Sequence, residues 1–262
     1  MQLYNIHSHT FRCNHAEGTE REYIENAIKN GMRILGFSDH SPYFFEGDYY
    51  SHFRMKREET KDYVETLLKL KEEYKNDISI HIGMEAEYYP KYFGKLMDFL
   101  KNYPIEYLIL GQHFLGNEMD SPVPCTRAMQ DKQRLNEYAD QVCEAISTGA
   151  FTCVAHPDVI NYTLTDEASE NAWRKICLCA KKYDVALEIN LLGIRTARNY
   201  PRNDFWKVAG EVGNKVLLGS DAHTVKDVID PSSCEVARNM ALQYGLNLME
   251  KPVFINPFGG NK

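Results

Sequence analysis

Seven of the nine histidines fall at the ends of short apolar runs. His7-Ser8-His9 follows Leu3-Tyr4-Asn5-Ile6, and His15 comes shortly after. Ser38-Asp39-His40, Gln112-His113, Ala155-His156-Pro157-Asp158 and Ser220-Asp221-Ala222-His223 repeat the placement. Glu85 closes Ile82-Gly83-Met84-Glu85 in the same way. Neutral imidazole and carboxylate together make the ligand set of zinc, iron or manganese. The first expectation is a polynuclear metal centre gathered from the whole chain.

The spacings support it. His7 and His9 are two apart, and on a strand residues i and i+2 project to the same side. A lone His-x-His is a weak signal, and its weight here comes from the other sites. Asp221 and His223 repeat the spacing and can serve two different ions. Glu85 follows Gly83, which allows close backbone approach. A buried carboxylate needs a partner, and a bridging position between two cations provides one. Glu87 points to the same side and is the rival. Taken singly, His40, His113 and His156 read as ordinary core or surface histidines, but their shared placement favours ligation. His52 and His81 match no such placement and read as structural.

The elements that must position these groups alternate. Strand-like runs fall at 2–6, 33–38, 78–87, 106–112, 151–155, 184–190 and 215–220. Helical patterns lie between them at 19–30, 57–75, 131–148, 166–182 and 201–212, with a last helix near 232–245 ending at Gly245. Thr19 with Glu22 three later predicts a capping box. Val64, Leu67, Leu68 and Leu70 mark one apolar face; Leu135, Tyr138, Val142 and Ile146 mark another. Strand and helix repeated seven times predict a parallel α/β sheet curled into a TIM-like barrel, closed or nearly so. Such a barrel puts every strand's C-terminal end on one face, where the seven histidines fall. Residues 41–56, rich in Tyr and Phe, read as a loop over that face; residues 114–130, with Pro122 and Pro124, read as a second. Tyr43, Phe44, Phe45, Tyr49 and Tyr50 either wall in a substrate or pack as a lid on themselves.

Bulk properties narrow the class. A chain of 262 residues with 44% hydrophobic content suits one large α/β domain or two small ones, and no linker or repeat divides it. A formal charge of −7 disfavours nucleic acid as a partner. No run of about 18 apolar residues predicts a membrane span. No basic-then-apolar leader is read, and the seven cysteines, an odd number inside apolar or helical stretches, suit reduced thiols in a cytoplasmic protein. Cys177-x-Cys179 reads as two helix positions about 200° apart.

In this order and spacing, His7-x-His9 with His15, Asp39-His40, Glu85, His113, His156-Pro157 and Asp221-x-His223 resemble the PHP (polymerase and histidinol phosphatase) family. Within it the chain is similar to the stand-alone histidinol-phosphate phosphatases. His7-Ser8-His9-Thr10, Gly36-Phe37-Ser38-Asp39-His40-Ser41-Pro42, Gly83-Met84-Glu85, and Leu187-Glu188-Ile189-Asn190 followed by Gly193-Ile194-Arg195 carry that likeness. Glu17 stands where the family suggests aspartate or a small residue, so position 17 is given no role.

The resemblance implies a single domain over residues 1–262, a distorted seven-stranded (β/α) barrel with its metal site at the C-terminal strand ends. It implies three divalent transition-metal ions, of zinc, manganese or iron. His7, His9, Glu85 and Asp221 would hold the first; Glu85, His113 and His156 the second; His15, His40 and His223 the third. It implies hydrolysis of a small phosphorylated metabolite, L-histidinol phosphate to L-histidinol and phosphate in histidine biosynthesis. A hydroxide bridging two ions would attack phosphorus. Arg195 is the expected phosphate clamp, with Arg198 as runner-up, because a guanidinium fork matches phosphate oxygens. Asp158 and Asp221 are candidates for the general acid. Competing readings are a family nuclease or phosphodiesterase acting on nucleotides, a phosphotyrosine phosphatase, an amidohydrolase, or a metal-binding regulatory module. Amidohydrolases often bridge two metals with a modified lysine, and no lysine stands at such a place here.

Overall fold

A computed structural model of the protein describes residues 2–120 and 123–259; Pro122, expected in the second loop, lies outside them. The apolar runs form eight parallel strands in chain order: β1 (Tyr4–Asn5), β2 (Ile34–Phe37), β3 (Ser79–Ala86), β4 (Tyr107–Leu110), β5 (Phe151–Val154), β6 (Ala186–Asn190), β7 (Lys215–Gly219) and β8 (Asn247–Leu248). Seven are the expected strands with trimmed ends. The eighth corrects the count: two residues, not fully buried, carry no readable alternation. Helices α1 (Glu20–Lys29), α2 (Thr60–Glu73), α4 (Lys132–Ser147), α5 (Glu167–Lys182), α7 (Asn203–Val212) and α8 (Pro231–Tyr244) meet the periodicity. Two more, α3 (Phe93–Leu100) and α6 (Leu191–Arg195), are too short to show it.

Local chemistry fixes the helix starts. Thr19 and Glu22 form the expected capping box on α1. Asp131, Asp166 and Asp230 accept from amides of the first turns of α4, α5 and α8, and Pro231 opens α8. Asn190, the last residue of β6, also caps α6 by accepting from the Gly193 amide at 3.1 Å.

The strand period of two divides the interior. Leu35, Phe37, Ile82, Met84, Leu108, Val154, Leu187 and Leu218 pack outward under the helices in the main core. Tyr4, Ile6, Tyr107, Ile109, Cys153, Ala186 and Leu217 fill the inside of the curl. Because Met84 and Ala86 face out, Glu85 must face in; because Leu187 and Ile189 face out, so must Glu188. The edges of the sheet meet differently at its two ends. At the C-terminal end the extension of β1 pairs directly with the residues after β7, the His9 amide donating to the Ala222 carbonyl at 2.9 Å. At the other end β8 pairs with the start of β7, and Tyr4 Oη donates to the Met249 carbonyl at 3.1 Å.

All seven cysteines are free. Among the described residues no helix is long and apolar enough to cross a membrane.

Candidate metal centre

All the expected ligands but His15 stand just past, or near the end of, a strand; His15 follows a short 3-10 turn at Phe11–Cys13. His7 and His9 lie on the β1 extension, with Ser8 between them bridged to Ala222. His40 follows β2 and pairs through its backbone with Glu85 on β3. His113 follows β4. His156 and Asp221, after β5 and β7, both adopt left-handed backbone, with φ of 32° and 47°. Such a conformation costs a non-glycine residue on the order of 1–3 kcal/mol and persists where the surroundings impose it.

These turns bring the side chains together around Glu85. Its Oε2 lies 3.0 Å from His40 Nδ1 and 3.6 Å from both His7 Nε2 and His9 Nε2. Its Oε1 lies 3.1 Å from His156 Nε2 and 3.6 Å from His113 Nε2. Asp221 Oδ1 is 3.2 Å from His9 Nε2, 3.6 Å from His7 Nε2 and 3.3 Å from His223 Nδ1. His223 Nε2 and His15 Nε2 face each other at 2.9 Å, and the His15 and His40 rings stack 5.3 Å apart. Room for Glu85 comes from Gly111, where a Cβ would collide with its carboxylate. At Gly83, where close approach is expected, the neighbour is the Tyr107 ring, which a Cβ would meet.

The cluster is buried and under-satisfied. His7, His9, His40, Glu85, His156 and Asp221 are each at most 4% exposed. His7 Nε2, both His9 nitrogens, His40 Nδ1, His156 Nδ1 and Glu85 Oε2 make no hydrogen bond among the described residues. Each such group costs about 1–3 kcal/mol, so six of them in one place need a ligand. The residues fit a divalent transition metal in chemistry as well: several groups of three or more His, Cys, Asp and Glu donors converge within 4.8 Å of one another. Among them are His15, His40 and His223; His7, His9 and Glu85; and His7, His156 and Asp221.

Electrostatics separates two kinds of imidazole. Burial opposes charge on His7 and His9, but Glu188 and Asp221 respectively outweigh it and raise both well above the ordinary range. Burial wins at His40, at His15 and at His223, which falls to about 3. Those three converge on one point and are neutral at pH 7, the form in which imidazole binds a metal. Glu85 and Asp221 are held well below the usual carboxylate range: burial would raise both, and His40 and His7 respectively lead the opposing attraction.

A supporting layer escaped the sequence reading. Glu188 pairs with His7 Nδ1 at 2.9 Å and Asp39 lies 3.5 Å from His9 Nδ1. Glu87, the rival bridging residue, instead stands behind His113, its Oε1 2.7 Å from Nδ1 and its Oε2 paired with Arg54. Asn190 Nδ2 donates to both Glu188 and Asp221, at 2.8 and 3.0 Å. Their signal was the period of two, which put Glu87 with Glu85 and Glu188 with Asn190 on the inner face.

The cluster floors a cavity of about 410 Å³. Phe53, Phe114, Pro124, Val159, Leu192 and Tyr200 give it an apolar wall, and Arg198 projects into it, donating to Tyr200 Oη at 3.0 Å. Arg195 does not line it. Its guanidinium donates to Asp230 at 2.9 Å and to the Ser220 and Asp221 carbonyls at 3.1 and 3.3 Å, so it braces the Asp221 turn from behind. Asp158 is likewise turned away: Oδ2 accepts from the Arg202 amide at 2.5 Å and Trp206 Nε1 at 3.1 Å. Of the aromatic run in loop 41–56, Tyr43 and Phe45 stack on each other and meet Tyr89 at a tilt, and Phe44 packs on Phe99. That run is a lid packed on itself, and Phe53 is the loop's aromatic that reaches the cavity. Glu17 contributes backbone: its amide donates to the His223 carbonyl at 2.8 Å, and its carbonyl accepts from Tyr23 Oη at 3.1 Å.

Comparison with known proteins agrees with this geometry. A family model for the PHP domain matches residues 5–191, and the chain belongs to the PHP family. A probable histidinol-phosphatase of Deinococcus radiodurans is 29% identical over 233 residues, 86% of this chain and 88% of that one. A histidinol-phosphatase of Bacillus subtilis is 31% identical over 124 residues, 45% of this chain and 46% of its own. A crystal structure of histidinol phosphate phosphatase from Lactococcus lactis, complexed with zinc, L-histidinol and phosphate, superposes with a TM-score of 0.74. It shares 19% identity and covers 100% of this chain and 99% of that one, which establishes the common fold.

Proposed function

We propose that the protein is a metal-dependent phosphomonoesterase that converts L-histidinol phosphate to L-histidinol and phosphate, a step of histidine biosynthesis. The observation that supports this best is the buried donor cluster on the floor of a cavity with one apolar wall and one projecting arginine. The names of the Deinococcus and Bacillus relatives supply the substrate.

In this reading His7, His9, Glu85 and Asp221 hold one ion, Glu85, His113 and His156 a second, and His15, His40 and His223 a third. When bound, divalent ions supply electrophilic neutralisation of phosphoryl charge and acidification of water near neutral pH. The chain's own groups do the rest. Glu188 and Glu87 fix the rings of His7 and His113 by accepting from Nδ1, which leaves Nε2 directed inward. Arg198 donates to phosphoryl oxygens, where a guanidinium fork matches the two-point geometry. Its bond to Tyr200 Oη holds it over the cavity. Phe53, Phe114 and Leu192 cover the organic half of the ester and keep water from it. Asp158 is committed to the Arg202 amide and Trp206, whereas Asp221 lines the cavity as an ionised carboxylate, a proton acceptor rather than a stored acid.

The test is phosphate release by the manganese-loaded protein from L-histidinol phosphate, an aryl phosphate, a nucleotide monophosphate and a phosphodiester. A preference of about 100-fold in kcat/KM for histidinol phosphate, about 2.7 kcal/mol of transition-state discrimination, supports the biosynthetic role. Turnover that favours the phosphodiester or an aryl ester such as phosphotyrosine overturns it.

A further inference from the structure

Loop 41–56 leaves the mouth of the sheet at His40 and comes back to it, the Met55 amide donating to the His40 carbonyl at 3.3 Å. In the returning arm Arg54 is 1% exposed. Its guanidinium donates to Glu87 Oε2 at 2.6 Å, to Glu118 Oε2 at 2.5 Å and to Tyr89 Oη at 3.1 Å. Glu87 and Glu118 are as deeply buried. Each carboxylate spends its other oxygen elsewhere: Glu87 on His113 Nδ1 at 2.7 Å, Glu118 on Tyr49 Oη at 3.1 Å. Glu118 belongs to loop 114–130, Tyr49 to loop 41–56. The neighbouring Phe53 ring lies 4.3 Å from the guanidinium, meets the His40 and His113 rings edge-on at 5.1 and 5.9 Å, and stacks on Phe114 at 6.0 Å.

A buried carboxylate–guanidinium–carboxylate triad is a poor device for stability alone, because apolar residues of the same volume often do as well. Its strength is geometry: a planar fork fixes two partners in one orientation. Here the partners are the two loops that cover the cavity and the carboxylate that orients His113. We propose that Arg54 is a positioning residue, the buried cation that ties loop 41–56 to Glu118 of loop 114–130 and, through Glu87, sets the His113 imidazole and the Phe53 wall. Its kinetic consequence rests on the phosphomonoesterase reading above; its structural consequences do not.

The experiment uses the full chain in three variants, R54K, R54M and E118Q, each checked for fold by circular dichroism. Manganese is titrated by calorimetry, chymotrypsin cleavage within the two loops is timed, and KM and kcat are measured on L-histidinol phosphate. The expected result is that both Arg54 variants lose at least tenfold in affinity at one manganese step while the other steps hold. Loop cleavage accelerates tenfold or more in all three variants. E118Q raises KM at least fivefold, more than it lowers kcat. Wild-type metal affinity and loop protection in folded R54K and E118Q overturn the proposal. So does a uniform loss at every metal step, the mark of a merely structural residue. If R54M fails to fold, R54K and E118Q decide. If the wild type does not turn over histidinol phosphate, the functional reading fails, and the titration and the cleavage still decide the role of Arg54.

Discussion

The two ends of the sheet treat histidine and glutamate in opposite ways. Near the start of the strands His81 spends both ring nitrogens, one on Glu106 at 2.9 Å and one on Ser79 Oγ at 3.0 Å, and its ring stacks on Phe254 at 4.1 Å. Glu106 spends its other oxygen on Lys71 and on the Ile82 amide. At the C-terminal mouth neither His9 nitrogen makes a hydrogen bond, and neither do His7 Nε2, His40 Nδ1 and His156 Nδ1. The same residue types close one end and leave the other open to a ligand. What differs is the direction of the side chains, set by strand register and by left-handed turns at His156 and Asp221. Unsatisfied burial is tolerated where binding repays it.

The strongest way to break this comparison is to remove one donor from each end. Asp221→Asn keeps the shape of the mouth but withdraws a negative charge shared by His7, His9 and His223. It should lower kcat/KM at least 1,000-fold, about 4 kcal/mol, with the far-UV spectrum retained. His81→Gln should leave both activity and bound metal at the wild-type level. Equal losses from the two substitutions would erase the distinction between the ends. Chelation comes next: stripping metal should abolish phosphate release and lower Tm, and manganese or zinc should restore both. At a free metal concentration 100 times Kd, linkage adds about 2.7 kcal/mol per site. Hydrolysis and Tm that do not change after metal content has fallen to zero by elemental analysis would remove the basis for a metal centre.

Much of this division was legible in the sequence, because apolar runs and the residues closing them are local signals. Seven of the eight strands, the capping box at Thr19 and the convergence of nine ligand-type side chains follow from pattern alone. Three things were not legible, and each depends on neighbours distant in sequence. β8 exists because it lies against β7, not because Asn247–Leu248 has strand character. Glu85 fits because Gly111, just past β4, lacks a Cβ, although Gly83 lies nearer in the chain. The arginine choice inverted for the same reason: Arg195 and Arg198 are three apart after β6, and only the turn at α6 decides that one faces Asp227 and Asp230 and the other the cavity.

That inversion sharpens the comparison within the mouth itself. Arg198→Ala should raise KM for a phosphomonoester about tenfold or more, roughly 1.4 kcal/mol, with little change in Tm. Arg195→Ala should act on stability, because Asp227, Asp230 and two carbonyls lose a shared donor, at a cost of about 1–3 kcal/mol by urea unfolding. An Arg195 variant that raises KM at unchanged stability would return the phosphate clamp to that position.

The smallest effect belongs to the closed end. Burial would raise the Glu106 carboxyl, but His81, Lys71 and the Ile82 amide pull it down to about 2. A carboxyl whose folded value lies below its unfolded value stabilises the fold above the unfolded value and loses that contribution as pH falls toward the folded one. The Glu106 contribution is therefore present at pH 7 and disappears between about 4.5 and about 2. Glu106→Gln should cost on the order of 1 kcal/mol at pH 7, since the pair is partly exposed, and the gap from wild type should close across that window. Urea midpoints at pH 7, 4 and 3 measure it. A gap that stays constant with pH would mean that shape alone, and not the ionised carboxylate, holds His81 and Lys71 in place, and that the closed end is satisfied by packing rather than by charge.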